Sequence, residues 1–93
     1  MDSGVLLEML KMDLGMTTTA YDQRLLMIIE SSKQAIETEG IVLDPDRFDD
    51  GQLVVMYSAW LWRRRDSMDA MPRMLRLALN NRLFSQKASE TDG

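Results

Sequence analysis

The sequence predicts an all-α fold, a single domain built as a small bundle of about four helices. Apolar residues recur at spacings of three and four along most of the chain, which is typical of amphipathic helices. Residues that favour helix ends lie between these apolar segments. The length of 93 residues suits one domain, and the hydrophobic content of 45% is that of a globular chain.

The first helix is predicted over about residues 4–14, after Ser3 as its N-terminal cap. Gly15 follows at the point where many helices end in the left-handed conformation. The inner side of the helix is apolar and comprises Leu6, Leu7, Leu10 and Leu14. This pattern indicates a short helix that packs on the rest of the domain through its leucines.

A second helix is predicted over about residues 20–39, opened by Thr19 and Asp22 in the spacing of a capping box and ended by Gly40. One face carries Tyr21, Leu25, Ile28, Ile29, Ser32, Ala35 and Ile36. Two further apolar residues fall off this stripe: Leu26 and Met27. We therefore expect a second contact at these two residues.

Residues 41–51 form the one substantial linker, and the apolar residues at its start suit either a strap or a single strand. Asp49 or Asp50 is placed to cap a third helix, predicted over about residues 50–66. The apolar run in this helix is interrupted only by Ser58 before three arginines follow. The third helix is therefore the most apolar element and the predicted centre of the fold.

At about 100° per residue, the third helix is apolar on two sides. The broad side carries Leu53, Met56, Tyr57, Trp60 and Leu61, and the other carries Val55, Ala59 and Trp62. Such a helix has to be covered on more than one side. We expect Trp60 in the core, and for Trp62 we favour a subunit interface over the core. Trp60→Ala should then unfold the domain, costing about 3–5 kcal/mol, while Trp62→Ala should mainly impair assembly.

A fourth helix is predicted over about residues 70–86, with Asp69 as its cap and Pro72 in its first turn. The predicted core face comprises Met71, Met74, Leu75, Ala78 and Leu79. Another side of the helix carries Leu77 and Phe84. The polar tail, residues 87–93, is expected to be flexible.

The composition argues against several chemistries. The chain has no cysteine and no histidine, so it lacks thiolates, the commonest general base and the commonest metal ligand. No glycine-rich phosphate loop appears, and no apolar run reaches the 18 residues of a membrane span. The N-terminal residues Asp2 and Glu8 are acidic where a signal peptide is basic. We predict no enzymatic activity, no cofactor, no metal site and no membrane partner.

An aspartate cluster in the linker invites a comparison with a calcium loop. It comprises Asp44, Asp46, Asp49 and Asp50. Counted from Asp44, the EF-hand pattern needs glycine at the sixth position and glutamate at the twelfth, where this chain has Asp49 and Val55. Helix capping and solvation account for the cluster.

The charges are unevenly distributed. Residues 1–50 hold 11 acidic and 4 basic side chains, and residues 51–93 hold 4 acidic and 7 basic ones. The basic half suits a small DNA-binding regulator, but the net charge of −4 and the divergence of three consecutive arginines favour ion pairs with protein. The arginines expected to contact a partner or neighbouring subunit are Arg63, Arg64, Arg65, Arg73 and Arg76.

Four segments carry a resemblance to a known family: DLGMTTTAYDQRLL, AIETEGIVL, QLVVMYSAWLWRRRD and MPRMLRLALNNRLF. In this order they resemble the head–tail connector, or head-completion adaptor, proteins of tailed bacteriophages and prophages, over roughly residues 5–86. The resemblance implies an all-helical structural protein that forms a ring of about a dozen copies under the portal protein. The ring joins the filled head to the next tail-side connector or tail protein, and DNA passes through it without sequence-specific binding. The implied location is the head–tail junction of the virion, after synthesis in the cytoplasm of the bacterial host.

A ring contact joins two different patches of each subunit. We expect one patch at Val55, Ala59 and Trp62, and the other at Leu77 and Phe84 or at Leu26 and Met27. A DNA-binding regulator and a partner-binding helical module, such as an antitoxin or anti-repressor, remain alternatives.

Overall fold

Four helices make up the part of the chain that the computed structural model describes, residues 1–65 and 70–91. They are α1 (Ser3–Leu14), α2 (Asp22–Thr38), α3 (Phe48–Arg64) and α4 (Arg73–Thr91). No strand occurs in these two ranges, and the start of the linker is an extended strap in which Ile41 is buried. The predicted all-α fold is confirmed.

α1 runs beside α3 in the same direction. Near their N-terminal ends, a Cβ atom at Gly51 would lie 3.5 Å from Cδ2 of Leu6. Near their C-terminal ends, the Asp13 carboxylate lies 3.5 Å from Nη2 of Arg63. These two contacts place α1 along one side of α3, so that the leucines of α1 pack on it.

α2 and α4 run opposite to α3 and cover its other sides. The Tyr21 ring at the start of α2 meets the Trp62 ring at the end of α3, with their centroids 5.5 Å apart. Further along, the Ser58 and Ser32 hydroxyl groups are hydrogen-bonded to each other in the buried interior, with their oxygens 2.9 Å apart. α3 therefore contacts all three other helices, as expected for the central element.

The second apolar side of α3 lies inside the chain's own core. Val55, Ala59 and Trp62 are only 7%, 2% and 8% exposed. The sequence favoured another subunit as the cover of this side, whereas in the structure α1 and α2 of the same chain bury it. Trp60 is the less buried tryptophan and packs at the edge of the core, so the predicted division between the two tryptophans is reversed.

The α1 and α2 ends differ in detail from those predicted. Asp2, not Ser3, caps α1, because its carboxylate accepts from the Gly4 N–H at 2.8 Å. Gly15 ends α1 with φ +68°, as predicted. The capping box before α2 does not form: the Thr18 hydroxyl accepts from the Ala20 N–H at 3.1 Å, and no side chain caps α2.

The α3 and α4 boundaries are shifted as well. α3 begins at Phe48, without a side-chain cap, because Asp50 is turned towards other partners. α4 begins at Arg73, just after Pro72, and the predicted cap Asp69 lies outside the described residues. α4 continues to Thr91, so the predicted flexible tail is helical over residues 87–91.

Within the described residues, no helix is both long enough and apolar enough to cross a membrane.

Candidate functional site

A buried ion pair ties the end of the linker to α4. Asp50 is fully buried, and its carboxylate accepts from Arg82 Nε at 2.6 Å and from Arg82 Nη2 at 3.0 Å. The same carboxylate accepts from the backbone N–H of Asp44 at 2.8 Å, and Arg82 also donates to the Val42 carbonyl at 2.9 Å. Because every contact is local to the strap and two helices, this cluster positions the linker.

Gln86, one turn further along α4, completes the strap contacts. Its amide donates to the Gly40 carbonyl at 2.8 Å and accepts from the Val42 N–H at 2.7 Å. The linker backbone thus finds hydrogen-bond partners on α4 instead of a neighbouring strand. Ile41 is buried beneath it and supplies the apolar half of the attachment.

Two more ion pairs lie nearer to solvent. Arg76 on α4 makes two hydrogen bonds to the Glu39 carboxylate at the end of α2, at 2.8 and 2.9 Å, and this contact raises the pKa of Arg76. Arg47 pairs with Asp49 at 2.6 Å across the start of α3. The hydrogen bond from Arg47 lowers the pKa of the exposed Asp49 carboxyl.

The arginines that end α3 are largely occupied by their own chain. Arg63 pairs with Asp13, and the Arg64 guanidinium lies over the Trp60 ring at 4.9 Å from its centroid. Arg65 lies over Trp62 at 3.8 Å and donates to the Trp62 carbonyl at 2.7 Å. With Arg76 held by Glu39, four of the five arginines predicted to contact a partner already have contacts within the chain.

One face of α4 carries exposed apolar side chains. Met74, Leu77 and Phe84 are 73%, 43% and 76% exposed, although Met74 was predicted in the core. The α4 core face instead uses Leu75 and Leu79. We call the exposed row the α4 seam; it comprises Met74, Leu77, Asn81, Phe84 and Ala88.

A second apolar surface is a shallow groove between α1 and α3. We call it the methionine groove; its lining comprises Met9, Met12, Asp13, Gln52, Val55 and Met56. Met12 is 81% exposed and Met56 is 40% exposed. Methionine side chains adapt to partners of different shape, so such a groove suits protein contacts. Helical periodicity does not predict this groove, because it forms only where α1 meets α3.

The structure separates the predicted interface residues into two groups. Leu77, Phe84 and Met27 are exposed, with Met27 69% exposed on α2, and Leu26 is partly buried against the core. Val55, Ala59 and Trp62 belong to the core, although Val55 reaches the methionine groove. The interface therefore stays a prediction for the exposed residues.

Within the described residues, no group of three or more acidic, histidine or cysteine side chains is placed to hold a metal ion. Comparison of the chain with protein-family models, with curated proteins and with solved structures found no match. The exposed apolar residues define three candidate interaction surfaces: the α4 seam, the methionine groove and the part of α2 around Met27.

Proposed function

We propose that this chain is a structural adaptor that acts by packing against other protein subunits, as a head–tail connector of a tailed bacteriophage. In this proposal, copies assemble into a ring beneath the portal protein, and the ring meets the next tail-side connector or tail protein. DNA passes through the ring without sequence-specific binding. The specific role comes from the resemblance of the sequence segments to that family.

The observation that carries the proposal is the placement of large apolar side chains outside the core on separate helices. Met12 on α1, Met27 on α2 and Phe84 on α4 are 81%, 69% and 76% exposed. Contiguous exposed apolar patches mark sites of protein association, and the methionine groove brings Met9, Met12, Val55 and Met56 together in one surface. A ring uses two unlike patches on each subunit, and contacts above and below it need further surfaces. The methionine groove and the surface around Met27 offer two unlike patches.

The DNA-binding alternative has less support. Binding to duplex DNA depends on basic side chains that neutralise several phosphates. Arg63, Arg64, Arg65 and Arg76 contact acidic or aromatic groups of their own chain, and the linker adds acidic side chains. Duplex DNA binding at low salt that weakens steeply as salt is added would favour the regulator instead.

The test is reconstitution with the portal protein encoded in the same genome. Light scattering after size-exclusion chromatography should show a joint complex, and electron microscopy should show a ring on the portal. Met12→Asp and Met27→Asp should each reduce ring formation without altering helix content. Ser89→Asp serves as a matched control, because it adds the same charge at an exposed position on α4. A natural chain that neither binds the portal protein nor forms a ring at its highest soluble concentration would contradict the proposal.

A further inference from the structure

The α4 seam has the spacing of a coiled coil. Residues 74, 77, 81, 84 and 88 follow one another at intervals of three and four, which places them at the a and d positions of successive heptads. At about 100° per residue they span an arc of about 80° on one side of the helix. The core side of α4 is a different face, where Leu75 and Leu79 are 2% and 1% exposed. The seam is therefore an exposed face of α4 that is distinct from its core face.

Asn81 lies at the middle of the seam, at an a position. Its side-chain amide makes no hydrogen bond within the described part of the chain. An apolar partner helix would bury this amide without a hydrogen bond, which is costly. A second asparagine at the same level satisfies it, because the amide both donates and accepts. In coiled coils, a single asparagine at an a position also specifies the register and the number of helices. The seam is thus complementary to a copy of itself.

The residues beside the seam favour one direction of pairing over the other. Of the α4 residues that flank the seam, Ala78, Asn80 and Ser85 are uncharged, whereas Arg73 and Lys87 are basic. Arg47 and Asp49 line the same surface cleft as Asn81 and Ser85. In a parallel pair, Arg73 faces Ala78 of the second copy, so like charges do not meet. In an antiparallel pair, Leu77 would lie opposite Asn81 of the second copy, so the Asn81 amide would face an apolar side chain. Arg73 would also approach Lys87 of the second copy, and these two side chains carry the same charge. Charge and hydrogen bonding therefore favour the parallel arrangement.

We propose that α4 of one chain pairs with α4 of a second copy as a short parallel two-stranded coiled coil, with Asn81 facing Asn81 across a two-fold axis. This like-to-like contact differs from the head-to-tail contact that closes a ring. It goes beyond the adaptor function and does not depend on it. The seam is only about 22 Å long, so the free protein should exchange between monomer and dimer, not form a permanent dimer.

Cysteine cross-linking tests the register directly, because the natural chain has no cysteine. Asn81→Cys in the full chain, under mild oxidation, should form a disulfide dimer at least about tenfold faster than Ser89→Cys. Ser89 is the matched control, since it is exposed on the same helix about 100° from the centre of the seam. Adding Phe84→Asp should slow the Asn81→Cys reaction to the control rate. Circular dichroism shows whether the variants keep their helices.

Sedimentation equilibrium of cysteine-free chains provides the second measurement. Asn81→Leu should tighten self-association at least about tenfold and admit higher oligomers, because the asparagine costs stability while fixing the strand number. Equal cross-linking rates for Asn81→Cys and Ser89→Cys, or weaker association of Asn81→Leu, would overturn the proposal. Preferential cross-linking of Leu77→Cys to Asn81→Cys in a mixture would overturn the parallel register. Binding to the portal protein is measured in a separate experiment. A failure of the coiled-coil proposal can therefore be told apart from a failure of the adaptor proposal.

Discussion

Arg82 holds Asp50 with two hydrogen bonds, from Nε at 2.6 Å and from Nη2 at 3.0 Å, in a pair almost withdrawn from solvent. The Asp50 side chain is 1% exposed and the Arg82 side chain 10%. Because Asp50 also accepts the Asp44 N–H, one carboxylate joins α3, α4 and the linker strap. The ion pair between Asp50 and Arg82 holds the strap against α3 and α4, and Ile41 of the strap is buried beside it.

Removal of one member of this pair should be severe. Asp50→Ala or Arg82→Met leaves a buried charge without its partner and should lower the free energy of unfolding by about 3–5 kcal/mol. Replacement of both, with Asp50→Leu and Arg82→Met, should cost less than either single change, because no charge remains buried alone. Urea denaturation measures all three. A double variant as unstable as the two single effects combined would show that the residues do not act as a pair.

The exposed pair Arg47 and Asp49 is the matched control for the buried one. Its members belong to the same linker region, but solvent screens their interaction. Arg47→Met or Asp49→Asn should therefore leave the urea midpoint nearly unchanged. A loss comparable to that of Asp50→Ala would mean that general charge balance, not the buried pair, stabilises this region.

Trp62 should matter more for folding than Trp60. Trp62 is 8% exposed and stacks edge-on against Tyr21, so Trp62→Ala should cost about 3–5 kcal/mol in the free energy of unfolding. Trp60 lies at the edge of the core, and its Nε1 is buried without a hydrogen-bond acceptor among the described residues. Trp60→Phe removes that unsatisfied donor and should be nearly neutral or slightly stabilising. Thermal unfolding followed by circular dichroism distinguishes the two; a larger loss from Trp60→Phe would contradict the assignment.

Periodicity alone was sufficient for the helices and for much of the core. The α2 stripe predicted Leu25, Ile29 and Ile36 as inward-facing, and all three are fully buried. It was not sufficient for the two tryptophans, because spacing defines the sides of a helix but not which neighbour covers each side. The side of α3 with Val55, Ala59 and Trp62 was predicted to contact another subunit. In the structure, α1 and α2 of the same chain cover it.

The candidate sites depend on contacts between distant residues, which the sequence shows only in part. Asp50 and Arg82 are 32 positions apart, and no local spacing relates them. The heptad spacing of the α4 seam can be recognised in the sequence. The same sequence also allows Met74 to lie on the core face with Leu75 and Ala78, and this was the prediction. Only the packing of α4 on α3 shows that Met74 faces outward. The proposed connector function remains a prediction from resemblance and surface character.

Tyr57 provides a pH-dependent test of the core. Burial of the Tyr57 side chain raises its pKa above the ordinary value, and the nearby Glu39 carboxylate adds to the effect. A raised pKa in the folded state means that stability is fully present below about pH 10 and is lost as pH rises through the folded pKa. Tyr57→Phe should remove this component of the alkaline loss in the free energy of unfolding.

Absorbance titration isolates the same group. The chain has two tyrosines, so Tyr21→Phe leaves Tyr57 as the only one. Its phenolate should then appear at higher pH in the folded chain than in the urea-unfolded chain. Coincident titration curves in the two states would contradict the raised pKa of Tyr57 in the folded chain.

Gly15 and Gly51 should respond oppositely to the same substitution. Gly15 ends α1 with φ +68°, a conformation that strains any residue with a Cβ atom, so Gly15→Ala should destabilise the chain by about 1 kcal/mol. Gly51 lies within α3, where alanine is the better helix former, and an added Cβ would meet Leu6 Cδ2 at an ordinary contact distance of 3.5 Å. Gly51→Ala should therefore stabilise by about 0.5–1 kcal/mol in urea denaturation. Destabilisation by Gly51→Ala would instead show that α1 needs the bare backbone of α3 at this crossing.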